Sequence, residues 1–543
     1  MFLRKLFVWF EKVAPMAFTA LAASVAASDL PRGAGDALEK IGSVRFVTSC
    51  NEAAQLHFTR AVALQHSFYW AEVKKSLAEA AKADPSCAMV HWLHAMVAMG
   101  NPYTWPLTGK ALADGMAAVE LAQKLNPPTE REKDFIAAAE QFFRNADKVP
   151  AQTRQLAYEL AMGKIAQKYP DDIEARIFYA LALSANFNPN DKTYANQLAA
   201  AKILEVVLAE KPDHPGVSHY LIHSYDSPPL AQRGLSSAYR YRDVAPSAPH
   251  ALHMPSHIFT RLGMWDDSIA ANTAVLNATR DHQSRLHSWD YMGYAYLQKA
   301  QDEDAKRVLG EIRLLGKIEG ETASSAYALA AIPSRMALER QRWSEAASLK
   351  LPISEFDFGW QQFPQAEAIM VYARALGSAR MGQVKSAKKE VERLAVLKLA
   401  MRDAKLFYWA DQADIQIETV NAWIARAGGK GKEALARLRA AADHEDGTEK
   451  SAVTPGPIIP VREQLGDMLM DMKQPRAALA EYERAIVKEP NRFRSLYAAA
   501  RAAEAINDDE RAKKYYRQLL TIANNPQGTH NETKRATAYL ARR

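Results

Sequence analysis

Histidine residues recur in one part of the sequence at a fixed interval. His219, His253 and His287 are spaced 34 residues apart, and the same interval separates His223 from His257. Eight of the 14 histidines of the chain lie in the stretch from His214 to His287. Because a fixed interval places residues at equivalent positions of a repeated structural unit, we expect these imidazoles to point towards one shared site.

The chemistry that such a site supports is metal binding. His219 and His223 share one helix face because they are four residues apart, and Asp226 extends that stripe by another turn. Neighbouring helices pack about 8–10 Å apart, so histidine pairs from two helices can supply four nitrogen ligands. Alternatively, the two histidines and Asp226 form a two-histidine, one-carboxylate set with open positions, which suits ferrous iron or catalytic zinc. The sequence predicts a divalent transition metal (zinc, copper or iron) held by His219, His223, Asp226, His250, His253, His257 and His287, with Tyr291 in the groove at the position that follows His257.

Two other interpretations of the histidines stay open. They either form hydrogen bonds to a peptide or small ligand, or form a purely structural cluster. Pro255 lies between His253 and His257, so the helix there either kinks or begins at the proline. No glycine-rich phosphate loop and no serine-nucleophile motif is present, so whether the protein is an enzyme stays undecided. If the site is catalytic, a metal-activated water or oxygen species is the expected agent.

The elements that hold the histidines repeat as well. Near the C-terminus, Ala478, Tyr482 and Ala485 are followed 34 residues later by Ala512, Tyr516 and Leu519. This order of small and aromatic residues, with Pro490 closing the first unit, resembles the second helix of a tetratricopeptide repeat, and Leu465-Gly466 resembles its first helix. The resemblance implies an all-α fold, a right-handed α-solenoid of helix–turn–helix repeats in which each helix pair buries one apolar stripe.

The first helix of one repeat shows which side the histidines should occupy. Val217, Leu221 and Tyr225 form an apolar stripe that is offset from the His219 stripe by two residues, or about 200° of helix rotation. The apolar stripe is the natural core face, so the histidines should look away from the core. In the proteins that this sequence resembles, that side of the first helix lines the concave groove.

The N-terminus predicts export. Arg4, Lys5 and Lys12 flank an apolar stretch that is too short to span a membrane and ends in small residues, as in a signal peptide. We expect a periplasmic or secreted protein with no membrane span in the mature chain. The predicted organisation is a signal peptide over residues 1–27, a repeat array with the histidine-rich groove over 28–308, degenerate helical repeats over 309–446, a loop over 447–460, a C-terminal repeat pair over 461–525 and a basic tail over 526–543.

The cysteines and the charge add two constraints. Cys50 and Cys87 are the only cysteines of the chain, and they either pair as a disulfide in an oxidising compartment or remain two buried thiols. The net charge of +7 is spread along the sequence. Without a lysine- or arginine-rich run or a nucleic-acid-binding motif, we expect no nucleic-acid partner.

Longer strings resemble a group of exported bacterial tetratricopeptide proteins of largely undefined function. The resemblance implies the fold and the export of the chain but supplies no reaction. We therefore predict a periplasmic repeat protein with a metal site in its concave groove, possibly a metal-dependent enzyme; the alternative is a non-catalytic scaffold that binds a peptide or protein partner there. The strings are Ser49-Cys50, residues 66–70, residues 84–87, His219 to His223, His250 to Gly263 and residues 490–493.

Overall fold

A computed structural model describes residues 39–104, 107, 109–352, 356–523 and 530–541. The chain divides into two compact units, Met1–Glu39 and Lys40–Arg543. The predicted signal peptide lies outside the described residues, so the fold below is that of the second unit.

The second unit is all-α, a right-handed α-solenoid in which helices that follow each other in sequence pack side by side. The described residues contain no β-strand. Short 3₁₀ turns occupy Pro102–Thr104 and Trp360–Gln362. The helices are α1 (Glu52–His66), α2 (Trp70–Ala83), α3 (Ala88–Met99), α4 (Gly109–Lys124), α5 (Glu130–Phe143), α6 (Ala151–Lys168), α7 (Ile173–Ala185), α8 (Ala195–Glu210), α9 (Pro215–Tyr225), α10 (Ala231–Val244), α11 (Pro249–His253), α12 (Pro255–Arg261), α13 (Trp265–Ala278), α14 (His282–Gln298), α15 (Asp302–Arg313), α16 (Ala323–Leu338), α17 (Trp343–Ala347), α18 (Pro364–Arg380), α19 (Val384–Asp403), α20 (Phe407–Ala427), α21 (Gly431–Gly447), α22 (Val461–Asp471), α23 (Pro475–Lys488), α24 (Phe493–Ala505), α25 (Asp509–Ala523) and α26 (Asn531–Leu540).

The C-terminal repeats show how the sequence pattern produces the packing. Ala478, Tyr482 and Ala485 are buried along α23. A side chain at Gly466 of α22 would clash with the ring of Tyr482. The glycine therefore lets the two helices of this repeat approach closely, which is the role that small residues play in such arrays. The predicted tail contains helix α26, so residues 531–540 are not an irregular extension.

Pro255 interrupts the helix that carries the central histidines. Helix α11 ends at His253 and α12 begins at Pro255, with Met254 between them in a helical conformation. The proline has no N–H to donate to the preceding turn, so the hydrogen-bond ladder breaks there. His253 and His257 consequently lie on two short helices and still face each other.

Residues 448–460 form an irregular segment, here called the covering loop, that packs on repeats far away in sequence. Lys450 donates to Asp226 (Nζ–Oδ2, 2.9 Å), and Glu449 accepts from Tyr194 (2.9 Å). Elsewhere in the unit, Cys50 and Cys87 form a disulfide. None of the helices in the described part of the chain is both long enough and apolar enough to span a bilayer.

Candidate metal centre

Six of the predicted histidines form two neighbouring triads. Set A comprises His219, His223 and His250, and set B comprises His253, His257 and His287. Within each set, one potential ligand nitrogen from every ring lies within 4.8 Å of the others. Each set takes two histidines at i and i+4 and one from a neighbouring helix; the 34-residue spacing links His253 to His287 within set B, whereas His219 belongs to set A. The geometry of both sets could hold a metal ion.

The two central rings of set B face each other with their Nε2 atoms 3.1 Å apart. His253 donates its Nδ1 proton to Asn272 Oδ1 (2.7 Å), and the amide of Asn272 is oriented because its nitrogen donates to the carbonyl of Ser268 (2.8 Å). His257 donates its Nδ1 proton to Asp226 Oδ2 (2.9 Å). In the neutral rings, both Nε2 atoms therefore carry lone pairs. Two lone pairs at this distance repel each other unless a cation lies between them.

Set A repeats part of this arrangement. His219 donates its Nδ1 proton to the backbone carbonyl of His66 (2.6 Å), which leaves a lone pair on its Nε2. That Nε2 lies 3.2 Å from Nε2 of His250. A metal ion that binds imidazoles at about 2.0–2.1 Å brings its ligand nitrogens to roughly 3.0–3.6 Å from each other. The separations in both pairs already fit this range.

His223 completes set A from beneath an aromatic ring. Its imidazole stacks on Tyr103, with ring centroids 3.7 Å apart and planes inclined by 18°. Its Nε2 is buried and has no hydrogen-bond partner among the described residues. A buried ring nitrogen without a partner is costly, so its position next to His219 indicates a ligand that the protein alone does not supply.

Burial controls the protonation of all six rings. Desolvation lowers the pKa of every histidine of both sets, and neighbouring imidazoles lower it further for all of them except His257. For His257, the Asp226 carboxylate partly opposes this effect, but the pKa stays below its ordinary value. The rings are therefore neutral and able to donate electron pairs, which is the form that binds metals.

Asp226 accepts hydrogen bonds from residues around set B and does not itself act as a ligand. Besides His257, its carboxylate accepts from Arg261 Nε (2.8 Å) and from Lys450 Nζ (2.9 Å). Burial would raise the pKa of Asp226, but Lys450 and Arg261 hold it well below its usual range. The predicted set of two histidines with Asp226 as a direct ligand is not formed; the carboxylate instead orients His257 from behind, as outer-shell groups do in metal sites.

The site is largely enclosed, whereas the sequence pattern predicts the wall of an open groove; His223, His250 and His287 are partly exposed. His219, His253, His257 and Tyr291 are all at most 2% exposed. Both faces of α9 are covered, because the covering loop and Tyr103 pack over the side opposite the apolar stripe. Tyr291 lies beneath that loop, with its hydroxyl 3.4 Å from both His257 Nε2 and the carbonyl of Thr454.

A third cluster, which the sequence pattern does not reveal, behaves differently. Glu174 accepts from His66 Nε2 (2.9 Å) and from His214 Nε2 (3.0 Å). The other nitrogens also have partners: Tyr220 donates to His66 Nδ1 (3.0 Å), and the Gly216 amide donates to His214 Nδ1 (3.1 Å). Every polar atom of this cluster is satisfied without a metal, so it is a structural network.

A cavity with an empty volume of about 1040 Å³, including the solvent at its mouth, opens on the other side of the covering loop. Tyr327, Tyr408 and Trp409 contribute aromatic surface to its lining. Lys450 also lines it, so one residue connects this cavity to Asp226 and set B. Three buried acceptor atoms on lining residues have no hydrogen-bond partner among the described residues: Gln365 Oε1, Gln416 Oε1 and Glu449 Oε2.

No protein-family model matches the sequence, and no curated protein is significantly similar to it. The fold is similar to that in a structure of Naa15/Naa10 bound to HypK-THB, with 13% identity, a TM-score of 0.25, and coverage of 90% of this chain and 72% of that one. A human IFIT1 dimer with m7Gppp-AAAA has 13% identity and a TM-score of 0.37, covering 81% of this chain and 90% of that one. A human IFIT1 dimer with PPP-AAAA has 13% identity and a TM-score of 0.36, with coverage of 87% of this chain and 91% of that one. All three TM-scores are below 0.5.

Proposed function

We propose that this chain is an exported tetratricopeptide-type protein that binds transition-metal ions at its buried histidine centre. The observation that carries the proposal is the contact between His253 and His257, whose Nε2 lone pairs face each other while both Nδ1 protons are donated elsewhere. This is the arrangement of metal-ligating histidines, whose second nitrogen donates to a carboxylate, amide or backbone carbonyl. Imidazole ligands suit zinc, copper, iron or nickel.

The first experiment measures metal in the untagged protein by inductively coupled plasma mass spectrometry. We expect stoichiometric metal in the wild-type protein and a loss in His253→Ala and in His219→Ala. The matched control is His94→Ala, since His94 is a partly buried histidine near His91, with ring centroids 6.2 Å apart, and belongs to neither set. Wild-type protein that stays metal-free after incubation with zinc, copper, iron and nickel would overturn the proposal.

Export is supported by the apolar N-terminal stretch and by the disulfide between Cys50 and Cys87, since disulfides persist in oxidising compartments. Cell fractionation and mass spectrometry of the mature N-terminus test it. We expect the protein in the periplasm or medium, beginning near residue 28. An intact N-terminus on protein found in the cytoplasm would show that the export proposal is wrong.

The cavity beyond the covering loop favours a second function, the binding of an organic ligand. Its aromatic surface and its unpartnered acceptors Gln365 Oε1 and Gln416 Oε1 suit a small molecule or peptide side chain that donates hydrogen bonds. Native mass spectrometry of the purified protein tests this function. We expect a co-purifying small mass that is absent in Trp409→Ala; identical masses for both proteins would argue against it.

A further inference from the structure

The two histidine sets are close enough to act together. His250 of set A and His253 of set B lie three residues apart on α11, with ring centroids separated by 6.1 Å. On the other side, the rings of His223 and His257 are 5.9 Å apart. Because adjacent rings bound the space between the sets in both places, ions held by set A and by set B would be near neighbours.

The charge of the surroundings limits which ions can occupy two such positions. All six ligands are imidazoles, which are neutral when they bind a metal. Of the nearby charged groups, three carboxylates are matched by three cations: Asp226, Glu449 and Glu489 against Arg261, Lys450 and Lys192. Two divalent ions would therefore add four positive charges to a buried site without a compensating anion, which is strongly unfavourable.

A metal that is stable with one positive charge avoids most of this cost. Copper alternates between the singly and doubly charged states, whereas zinc is always doubly charged and has no redox chemistry. Copper is also the first-row metal that nitrogen sites generally bind most tightly. In the oxidised state, a small bridging anion such as hydroxide between the two ions would supply the missing negative charge.

We infer that sets A and B form one binuclear copper centre, with three imidazoles on each ion and room for a small bridging anion between them. This inference rests on the proposed metal-binding function and specifies the metal, its stoichiometry and the class of exogenous ligand. It also accounts for the unpartnered Nε2 of His223, which becomes the third ligand of set A.

Copper stoichiometry and electron paramagnetic resonance test the inference. The untagged, metal-free protein is loaded anaerobically with Cu(I), freed of excess copper and oxidised with ferricyanide, which takes one electron from each ion. We expect two copper ions per chain and a Cu(II) signal that integrates to far less than the total copper, because two ions joined by a bridging anion couple magnetically. Azide, as a bridging probe, should then produce a new charge-transfer absorption.

Variants of each set separate the possible results. His223→Ala should retain one copper ion, in set B, and the Cu(II) signal of that ion should become fully visible. His287→Ala should retain one fully visible copper ion in set A. His94→Ala should behave as the wild-type protein. One copper ion per wild-type chain, or two that are both fully visible, would overturn the binuclear inference while leaving the proposed metal binding intact. Preferential loading of two zinc ions from an equimolar zinc and copper mixture would overturn the assignment of copper. A protein that binds no metal would refute both proposals.

Discussion

His66 and His214 lie about as close together as His253 and His257 do: the ring centroids are 4.8 Å apart in the first pair and 5.1 Å in the second. Both pairs are buried. The first pair directs its Nε2–H groups at one carboxylate, Glu174, and its Nδ1 atoms accept hydrogen bonds. The second pair donates from Nδ1 and leaves two lone pairs facing each other.

The difference indicates that the positions of the protons, rather than the proximity of the rings, separate a structural histidine cluster from the candidate metal centre. A carboxylate between two imidazoles satisfies their donors and needs nothing else. When the acceptors lie behind the rings instead, the free electron pairs of both Nε2 atoms face each other, and one cation can satisfy both. The comparison therefore predicts that the Glu174 network maintains stability and that the His253–His257 pair maintains metal affinity.

Removing the carboxylate of the first region should have the largest effect on stability. Glu174→Ala leaves two buried Nε2–H groups without an acceptor, so we expect the free energy of unfolding to fall by about 3–5 kcal/mol. Urea denaturation measures this change. The control is Glu210→Ala, since Glu210 pairs with Arg176 at the surface and should contribute no more than about 1 kcal/mol. The metal content of the folded Glu174→Ala protein should be that of wild type; a loss of metal would mean that the two regions are not separate.

Removing the side chain that accepts the Nδ1 proton of His253 should instead weaken metal binding. Asn272→Ala takes away the oxygen that receives the Nδ1 proton of His253, so the ring loses its fixed orientation. Outer-shell changes of this kind cost about 10–100-fold in metal affinity. Competition with a chelator measures the affinity. Thr273→Ala is the matched control on the same helix, because its hydroxyl is exposed and bonds only to the carbonyl of Ile269. Equal affinities of Asn272→Ala and wild type would contradict the role given to the Nδ1 hydrogen bonds.

The histidines of sets A and B and the carboxylate of Glu174 should lose their contributions to stability in different pH windows when the protein is metal-free. The pKa values of the histidines of sets A and B lie below their ordinary value of 6.5, so the unfolded chain binds more protons than the folded one below that pH. Their contribution is complete above pH 6.5 and is lost as the pH falls towards the lowered pKa values, at up to about 1.4 kcal/mol per pH unit for each proton.

Glu174 should respond only in stronger acid. Burial favours its protonated form, but His214 and His66 hold its pKa below the ordinary value of 4.5, so its stabilisation is present above pH 4.5 and lost below it. Unfolding free energies measured across pH 3–8 test both windows. His253→Gln should flatten the profile near pH 6 and leave the acid limb unchanged. A profile that His253→Gln leaves unchanged near pH 6 would contradict the buried, neutral state of that ring.

Sequence periodicity was sufficient to single out the histidines of sets A and B but not to explain their surroundings. The 34-residue spacing identifies His219, His253 and His287 because equivalent positions in stacked repeats meet in space. The spacing does not identify Asn272 or Tyr103, because their roles depend on how side chains from different helices are oriented towards each other. The burial of the site was also missed, since the apolar stripe on α9 marks one core face and gives no sign that the opposite face is covered.

Long-range contacts explain the rest of what the sequence left out. Lys450 donates a hydrogen bond to Asp226, which lies 224 positions earlier in the sequence. Glu174 lies in a repeat that precedes the recurring histidines. No local sequence pattern links such residues, because they are far apart in the chain and come together only through the stacking of many successive repeats. His66 and His214 could have been suspected from composition alone, but only coordinates place Glu174 between them.

The smallest expected effect concerns the charge that the covering loop brings to the second region. Lys450 shares Oδ2 of Asp226 with His257, and its ammonium group also lowers the pKa of His253, His257 and His287. Replacing it in Lys450→Met leaves the carboxylate free to polarise His257 and removes a positive charge from the neighbourhood of the metal. Metal affinity should therefore rise, on the order of fivefold or about 1 kcal/mol. Lys488→Met, which alters another cationic residue of the cavity lining, is the control and should leave the affinity unchanged. A fall in metal affinity in Lys450→Met would show that the covering loop acts by enclosing the metal and not through its charge. The His253–His257 pair and the Glu174 cluster would then differ in access to the site as well as in the placement of protons.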